Sequence, residues 1–289
     1  MSVKEITCKT ALHYHDRAFA TNWDLNIYRG CGHRCIYCFA QYSHKYLDTD
    51  HFFDDIFVKT NISDALDSDF IKQSWSDDLV NVCGVTDAYQ PLEKEYVLMP
   101  KVIETFIRRR NGMIITTKST LLLRDIDLLE ELNKVARVEV RVSASAIDES
   151  IRERIEPFSS STVDRLQMLS RLNDRGIYTG VLMMPIIPYL TDNVENLAAI
   201  FKLSKENGAK SIIPQTLHLR GNTKQVFFTY VQKLFPKLLE KIKPLYRGSY
   251  VDKDYQENFR QKIWSLRKKY DFYNEVCERN NFRKQTSLW

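Results

Sequence analysis

A chain of 289 residues holds one large domain, or a domain with an appendage, and buries a substantial core. Its 44% hydrophobic and 27% charged residues argue against disorder. No apolar run approaches the ~18 residues of a membrane span, and the opening MSVKEITCKTALHYHDRAF lacks a secretory signature, so the expected location is cytoplasmic with no membrane partner. The net charge of +5 is uneven: from Gly221 to Trp289 fifteen Lys and Arg face seven Asp and Glu, leaving the preceding residues slightly acidic.

Residues 1–23 read as an N-terminal extension. Strand and helix patterns then alternate. A first strand covers 24–30 and ends at Gly30, where a cysteine-rich loop begins. A second strand covers 78–85, and helical spacing follows over 96–110 despite Pro100. After Asn111-Gly112 comes a third strand, 113–119, then a helix with Leu123, Ile126, Leu129 and Leu132 at three-residue spacing. The run 137–146 alternates as a fourth strand. A helix follows from a Ser161 or Thr162 cap to its stop at Gly176. The series closes with a strand at 178–188, a helix ending at Gly208 and a strand at 211–219.

Six strands each followed by a helix predict parallel βα units with right-handed crossovers. The fold class is therefore α/β, a partial (β/α)6 TIM-type barrel over 24–220 with a helical, basic C-terminal region over 221–289. That region either covers the open edge or forms an appendage. In parallel barrels the working residues stand at the C-terminal ends of strands. The rule gathers the cysteine loop, Thr86, Asp87, Lys118, Ser143 and Met184 with Pro185 around one mouth, where polar side chains are poor barrel filling.

Six cysteines are too few for a disulfide scaffold. Cys8, Cys83 and Cys277 are isolated, and Cys8 and Cys277 read as small buried hydrophobes. Cys31, Cys35 and Cys38 fall within eight residues, which points to metal binding. A zinc site wants four protein ligands; His33 or His44 is available as a fourth, but no second ligand pair follows. A [4Fe-4S] cube held by three thiolates leaves one iron open to a small molecule.

The spacing of three residues and then two is the signature of the radical SAM superfamily, which the 24–219 series also resembles. The resemblance implies that S-adenosyl-L-methionine (SAM) binds the open iron and is cleaved reductively to a 5′-deoxyadenosyl radical. YRGCGHRCIYCFA, GVTDAYQPLEKEY, TTKS, RVEVRVSAS, RIEPFSSSTVDRL and MMPIIPYLTD further resemble the branch related to spore photoproduct lyase, the enzyme that reverses a thymine dimer in spore DNA. On that resemblance Thr86, Lys118, Ser143 and Met184 hold SAM, with Asp87 beside Thr86. Lys118 is otherwise a strand-end surface lysine, and Thr86 and Ser143 are otherwise turn and cap hydroxyls.

The resemblance also suggests Cys83, forty-five residues after Cys38, as a hydrogen-atom donor and Tyr37 as a relay. Cys83 reads alternatively as a buried strand residue. Phe39 stands where the second relay tyrosine is expected, and a phenyl ring has no O–H hydrogen to pass on. The expected function is hydrogen abstraction from an unidentified substrate, in DNA lesion repair or in modification of a peptide, an RNA or a small metabolite. Two alternatives are a non-catalytic iron-sulfur electron carrier and a nucleic-acid-binding module with a structural metal. The implied partners are an external one-electron reductant, flavodoxin- or ferredoxin-like, and nucleic acid through basic-aromatic stretches such as LRKKY and NNFRKQ. Trp264, Tyr270 and Trp289 either line the substrate mouth or pack as helix core.

Overall fold

The computed structural model describes residues 2–16, 21–47, 49–72 and 74–272; Cys277, Trp289 and NNFRKQ lie outside them. Strands β1 (Ser2–Ile6), β2 (Leu12–Tyr14), β3 (Trp23–Leu25), β4 (Tyr28–Arg29) and β5 (Asp55–Lys59) precede helix α1 (Ile62–Phe70) and strand β6 (Val80–Val82). Next come α2 (Glu93–Tyr96), α3 (Met99–Arg109), β7 (Met113–Thr117), α4 (Ile126–Val135), β8 (Val138–Ser143), α5 (Glu149–Ile155) and α6 (Thr162–Asp174). The chain continues with β9 (Tyr178–Ile186), α7 (Val194–Glu206), β10 (Ser211–Thr216), α8 (Asn222–Leu234), α9 (Pro236–Ile242) and α10 (Lys253–Lys269).

Strands β3, β6, β7, β8, β9 and β10 lie side by side in that order, all parallel, which is the partial barrel expected from the alternation. β2 runs antiparallel along the free edge of β3. The helices follow local signals. Ser161 caps α6 through Asp164 N–H at 3.0 Å, and Asn193 caps α7 through Asn196 N–H at 2.8 Å. Pro100 falls in the first turn of α3, where its missing N–H costs nothing, so it opens that helix instead of interrupting it. Val97, at φ 48°, separates α3 from α2.

The run read as one strand over 24–30 divides between two sheets. After Leu25, Asn26 Oδ1 accepts Val85 N–H at 3.1 Å and the Ile27 carbonyl accepts Lys59 N–H at 3.2 Å, so the chain crosses from the barrel to a small sheet. That sheet has the order β1-β5-β4, and the continuous buried apolar run Ile56, Phe57 and Val58 is the signal for a strand that periodicity over the βα series passed over. The second barrel strand is also shorter than 78–85. It stops at Cys83, whose N–H donates to the Leu25 carbonyl at 2.6 Å and whose φ is 66°.

The C-terminal helices are packed on the barrel in two groups. Phe259, Ile263 and Leu266 of α10 join the main core with Phe201, and Tyr270 stacks on Phe201 at 6.2 Å. α8 and α9 pack instead on Cys35, Ile36 and Tyr37. Neither Trp264, half exposed, nor Tyr270 lines the mouth. Among the described residues no helix is long and apolar enough to cross a membrane.

Gly30 leads from β4 into the cysteine loop at φ 85°, and a Cβ there would stand 2.8 Å from the Asp55 carbonyl oxygen and 2.9 Å from that of Phe52. Thermal denaturation of Gly30→Ala should show a loss of about 2 kcal/mol or more from left-handed strain and displaced backbone. Gly248→Ala, with nothing within 4 Å of its Cβ, should melt as the wild type does.

Candidate active site

The C-terminal ends of the barrel strands surround a cavity of about 410 Å³. Its lining includes Cys31, Cys35, Cys38, Tyr37, Cys83, Thr86, Asp87, Lys118, Ser143 and Met184, so the residues expected from the sequence to serve the cluster, SAM and hydrogen transfer arrive at one place. Phe39, Gln215 and His218 are also among the lining residues.

The loop carrying the three thiols is clasped from two sides. On one side the Thr86 hydroxyl donates to the Gly30 carbonyl at 2.6 Å, and Gln90 Oε1 accepts Gly32 N–H at 2.7 Å. The Asp87 carboxylate accepts four donors: Tyr89 N–H at 2.9 Å, Thr117 Oγ1 at 2.8 Å, Lys118 N–H at 2.8 Å and His33 Nε2 at 3.1 Å. Burial pushes its pKa up, but the His33 charge and these hydrogen bonds outweigh burial and hold it at about 2. Thr86 and Asp87 thus brace the loop and the end of β7.

On the other side the loop meets the segment after α5. Ile36 N–H donates to the Ile155 carbonyl at 3.0 Å, and His33 Nδ1–H donates to the Phe158 carbonyl at 2.9 Å. The Tyr37 hydroxyl donates to Glu156 Oε1. Glu156 Oε2 is 2.8 Å from Arg165 Nη2, and both side chains are shut off from solvent. Arg165 Nη1 in turn donates to the Ser143 carbonyl at 2.5 Å. Burial raises the Glu156 carboxyl, but the charges of Arg165 and Lys118 and the Tyr37 hydrogen bond bring it down to about 2. Burial and the same carboxylate push the Tyr37 phenol well above its ordinary range.

Lys118 Nζ donates to Ser143 Oγ at 2.9 Å and stands 5.8 Å from the Tyr37 ring centroid. Ser143 Oγ donates onward to the Met184 carbonyl at 3.0 Å, tying β8 to β9 beneath the mouth. Glu156, Arg165 and Gln90 escaped the sequence reading, because a charged residue beside a helix reads as solvated until its partners are known. RIEPFSSSTVDRL contains both Glu156 and Arg165, and the buried Leu166 and Leu169 put Arg165 next to the apolar face of α6.

The donor set bears on which metal group suits the loop. Burial pushes the Cys31 and Cys38 thiols up to about 12 and raises Cys35 further, so these are proton-bearing thiols that a metal would deprotonate on binding. For zinc, a histidine would have to close the tetrahedron. Both ring nitrogens of His33 are engaged, while His44 gives Nε2 to the Asp55 carbonyl at 2.7 Å and packs on Phe52 outside the cavity lining. Among the described residues no three Cys, His, Asp or Glu side chains are gathered as they would be around one ion. Three thiols on one cavity wall, with a cation and neutral polar groups opposite, fit a cluster in which each thiolate takes its own iron and one iron faces a small molecule.

A family model described as Radical SAM superfamily matches residues 25–201. The chain belongs to the radical SAM superfamily. Membership implies an enzyme with a [4Fe-4S] cluster and SAM. An uncharacterized protein of Mycobacterium tuberculosis strain H37Rv is 34% identical over 273 residues, covering 92% of this chain and 80% of its own length. An uncharacterized protein of Acidianus two-tailed virus is 28% identical, over 88% of this chain and 82% of its own. A spore photoproduct lyase variant with bound AdoMet and dinucleoside spore photoproduct superposes with a TM-score of 0.69 at 15% identity, over 93% of this chain and 79% of that one. The radical SAM partial barrel is thus shared with that lyase.

Arg165→Met leaves the Glu156 charge buried without its partner and should cost about 3–5 kcal/mol in denaturant unfolding. Asp87 and Glu156 have folded values below the ordinary 3.8 and 4.5, so their stabilisation is present above those values and lost as pH falls towards about 2. Melting temperature should therefore drop through that window, and Asp87→Asn should melt lower at neutral pH while declining less steeply in acid.

Proposed function

We propose that this chain cleaves SAM reductively and takes a hydrogen atom from a substrate at the open side of the cavity, with a photoproduct-type DNA lesion as the first substrate to try. One observation carries the reading: three thiols, a cation and a fourth thiol share a single cavity of a volume suited to a small-molecule ligand. Cys31, Cys35 and Cys38 would hold the cluster. When bound, the cluster and SAM together supply one electron and a carbon radical able to abstract hydrogen.

The remaining work falls to side chains with defined partners. Lys118, half-buried and held by Ser143, offers its ammonium to the SAM carboxylate. Thr86, Asp87 and Ser143 act through the backbone they fix, and the Met184 carbonyl is oriented by the Ser143 hydroxyl. Hydrogen return to a substrate radical is assigned to Cys83 without a tyrosine relay. Tyr37 commits its O–H to Glu156, Phe39 has none to give, and burial keeps the Cys83 thiol protonated, as a hydrogen-atom donor must be. A bare electron carrier, the competing reading, has no use for the Lys118–Ser143–Met184 arrangement.

The test is anaerobic reconstitution, dithionite and SAM, with 5′-deoxyadenosine as readout. The wild type should form it, and Cys31→Ala should not. Lys118→Ala should need roughly tenfold to a hundredfold more SAM, from the ~1.5–3 kcal/mol of a charge-assisted hydrogen bond. With dinucleoside spore photoproduct added, Cys83→Ala should still form 5′-deoxyadenosine yet lose the repaired dinucleoside. A loaded wild-type cluster indifferent to SAM would return the protein to electron transfer, and 5′-deoxyadenosine without repair would move the substrate to another class.

A further inference from the structure

We propose that the hairpin of α8 and α9 is the docking face for an acidic one-electron carrier protein, which passes its electron to the cysteine segment directly beneath. This rests on the cluster reading above. Between Asn222 and Tyr250 six Lys and Arg stand against the single acid Glu240. Lys233, Lys237 and Lys241 are exposed, and among the described residues none of the three has an ion-pair partner. Lys237 and Lys241 are four apart on α9, one turn from each other and about 100° round the helix from the buried Leu238 and Ile242.

Arg154 adds a further charge at the turn between the helices, with its guanidinium 4.2 Å from the Phe235 ring centroid. Its neighbour in the chain, Glu153, is paired with Arg152 at 3.3 Å. The apolar underside of the hairpin, including Phe227 and Val231, belongs to one packed cluster with Cys35, Tyr37 and Cys38. The basic hairpin and the thiols that would hold the cluster thus flank one and the same packed cluster. The 3-10 run Phe39–Leu47 touches α8 and exposes Tyr42 and Tyr46 by 50% and 70%, adding apolar contact surface beside the charges.

Small, steered encounters of this kind suit electron transfer, in which the carrier loses one electron and the cluster gains it. Phosphates would also be drawn to the lysines. The packing of the hairpin on the cysteine segment is what favours a redox protein over a nucleic acid.

The probe is a purified acidic flavodoxin, fully reduced, against wild type and Lys237→Glu/Lys241→Glu. Both substitutions are on exposed positions, and circular dichroism verifies the fold. The expected result is flavodoxin binding at least about tenfold weaker in the variant, weakening with salt in the wild type, with slower flavodoxin-driven 5′-deoxyadenosine formation and an unchanged dithionite-driven rate. Equal flavodoxin affinity and rate in both proteins would overturn the proposal, as would loss of binding to a 20-nucleotide single strand with flavodoxin binding intact. If dithionite yields no 5′-deoxyadenosine even in the wild type, the functional reading fails, while the binding comparison still decides the surface.

Discussion

The buried contact between Glu156 and Arg165 is the constraint on which the rest of the site depends. A carboxylate and a guanidinium taken out of water are tolerable only when nearly every lone pair and proton is matched. Here Glu156 is matched by Arg165, Tyr37 and Ser159, and Arg165 reaches the Ser143 and Ser161 carbonyls and Thr162. The result joins the cysteine loop, the end of β8 and the start of α6 through charged groups that have few alternative arrangements. The thiols are therefore held in place by the protein's own packing and polar network.

Asp87 performs the matching task on the opposite flank, collecting donors from the loop and from β7. Between the two carboxylates lies the Lys118 ammonium, turned towards Ser143 and the Tyr37 ring. A cavity with anions turned into its walls and a cation facing its space is electrostatically prepared for an anionic end of a ligand. The residues assigned to SAM from resemblance thus divide by geometry. Thr86, Asp87 and Ser143 spend their polar atoms on the scaffold, whereas Lys118 keeps an ammonium on the cavity lining.

Tyr37 and Cys83 separate in the same way. The phenol O–H is consumed by a buried carboxylate, while the Cys83 thiol remains on the cavity wall at the left-handed end of its strand. A non-glycine residue held at φ 66° immediately before Gly84 is a local conflict of the kind that collects at working sites.

Much of this was legible in the chain itself. Periodicity exposed six parallel strands, and the C-x3-C-x2-C spacing singled out the loop that lines the cavity, because both signals are local and need no distant partner. The pairing of the small sheet beneath Gly30 was not legible: β1 and β5 are separated by nearly fifty residues, and β1, almost wholly exposed, shows no burial pattern of its own. Nor were the roles of Glu156, Arg165 and Gln90, whose polar side chains look solvated until distant backbone closes over them. Local order was thus determined by the sequence. Only tertiary packing decided which charges were withdrawn from water, since desolvation depends on what surrounds a group in space.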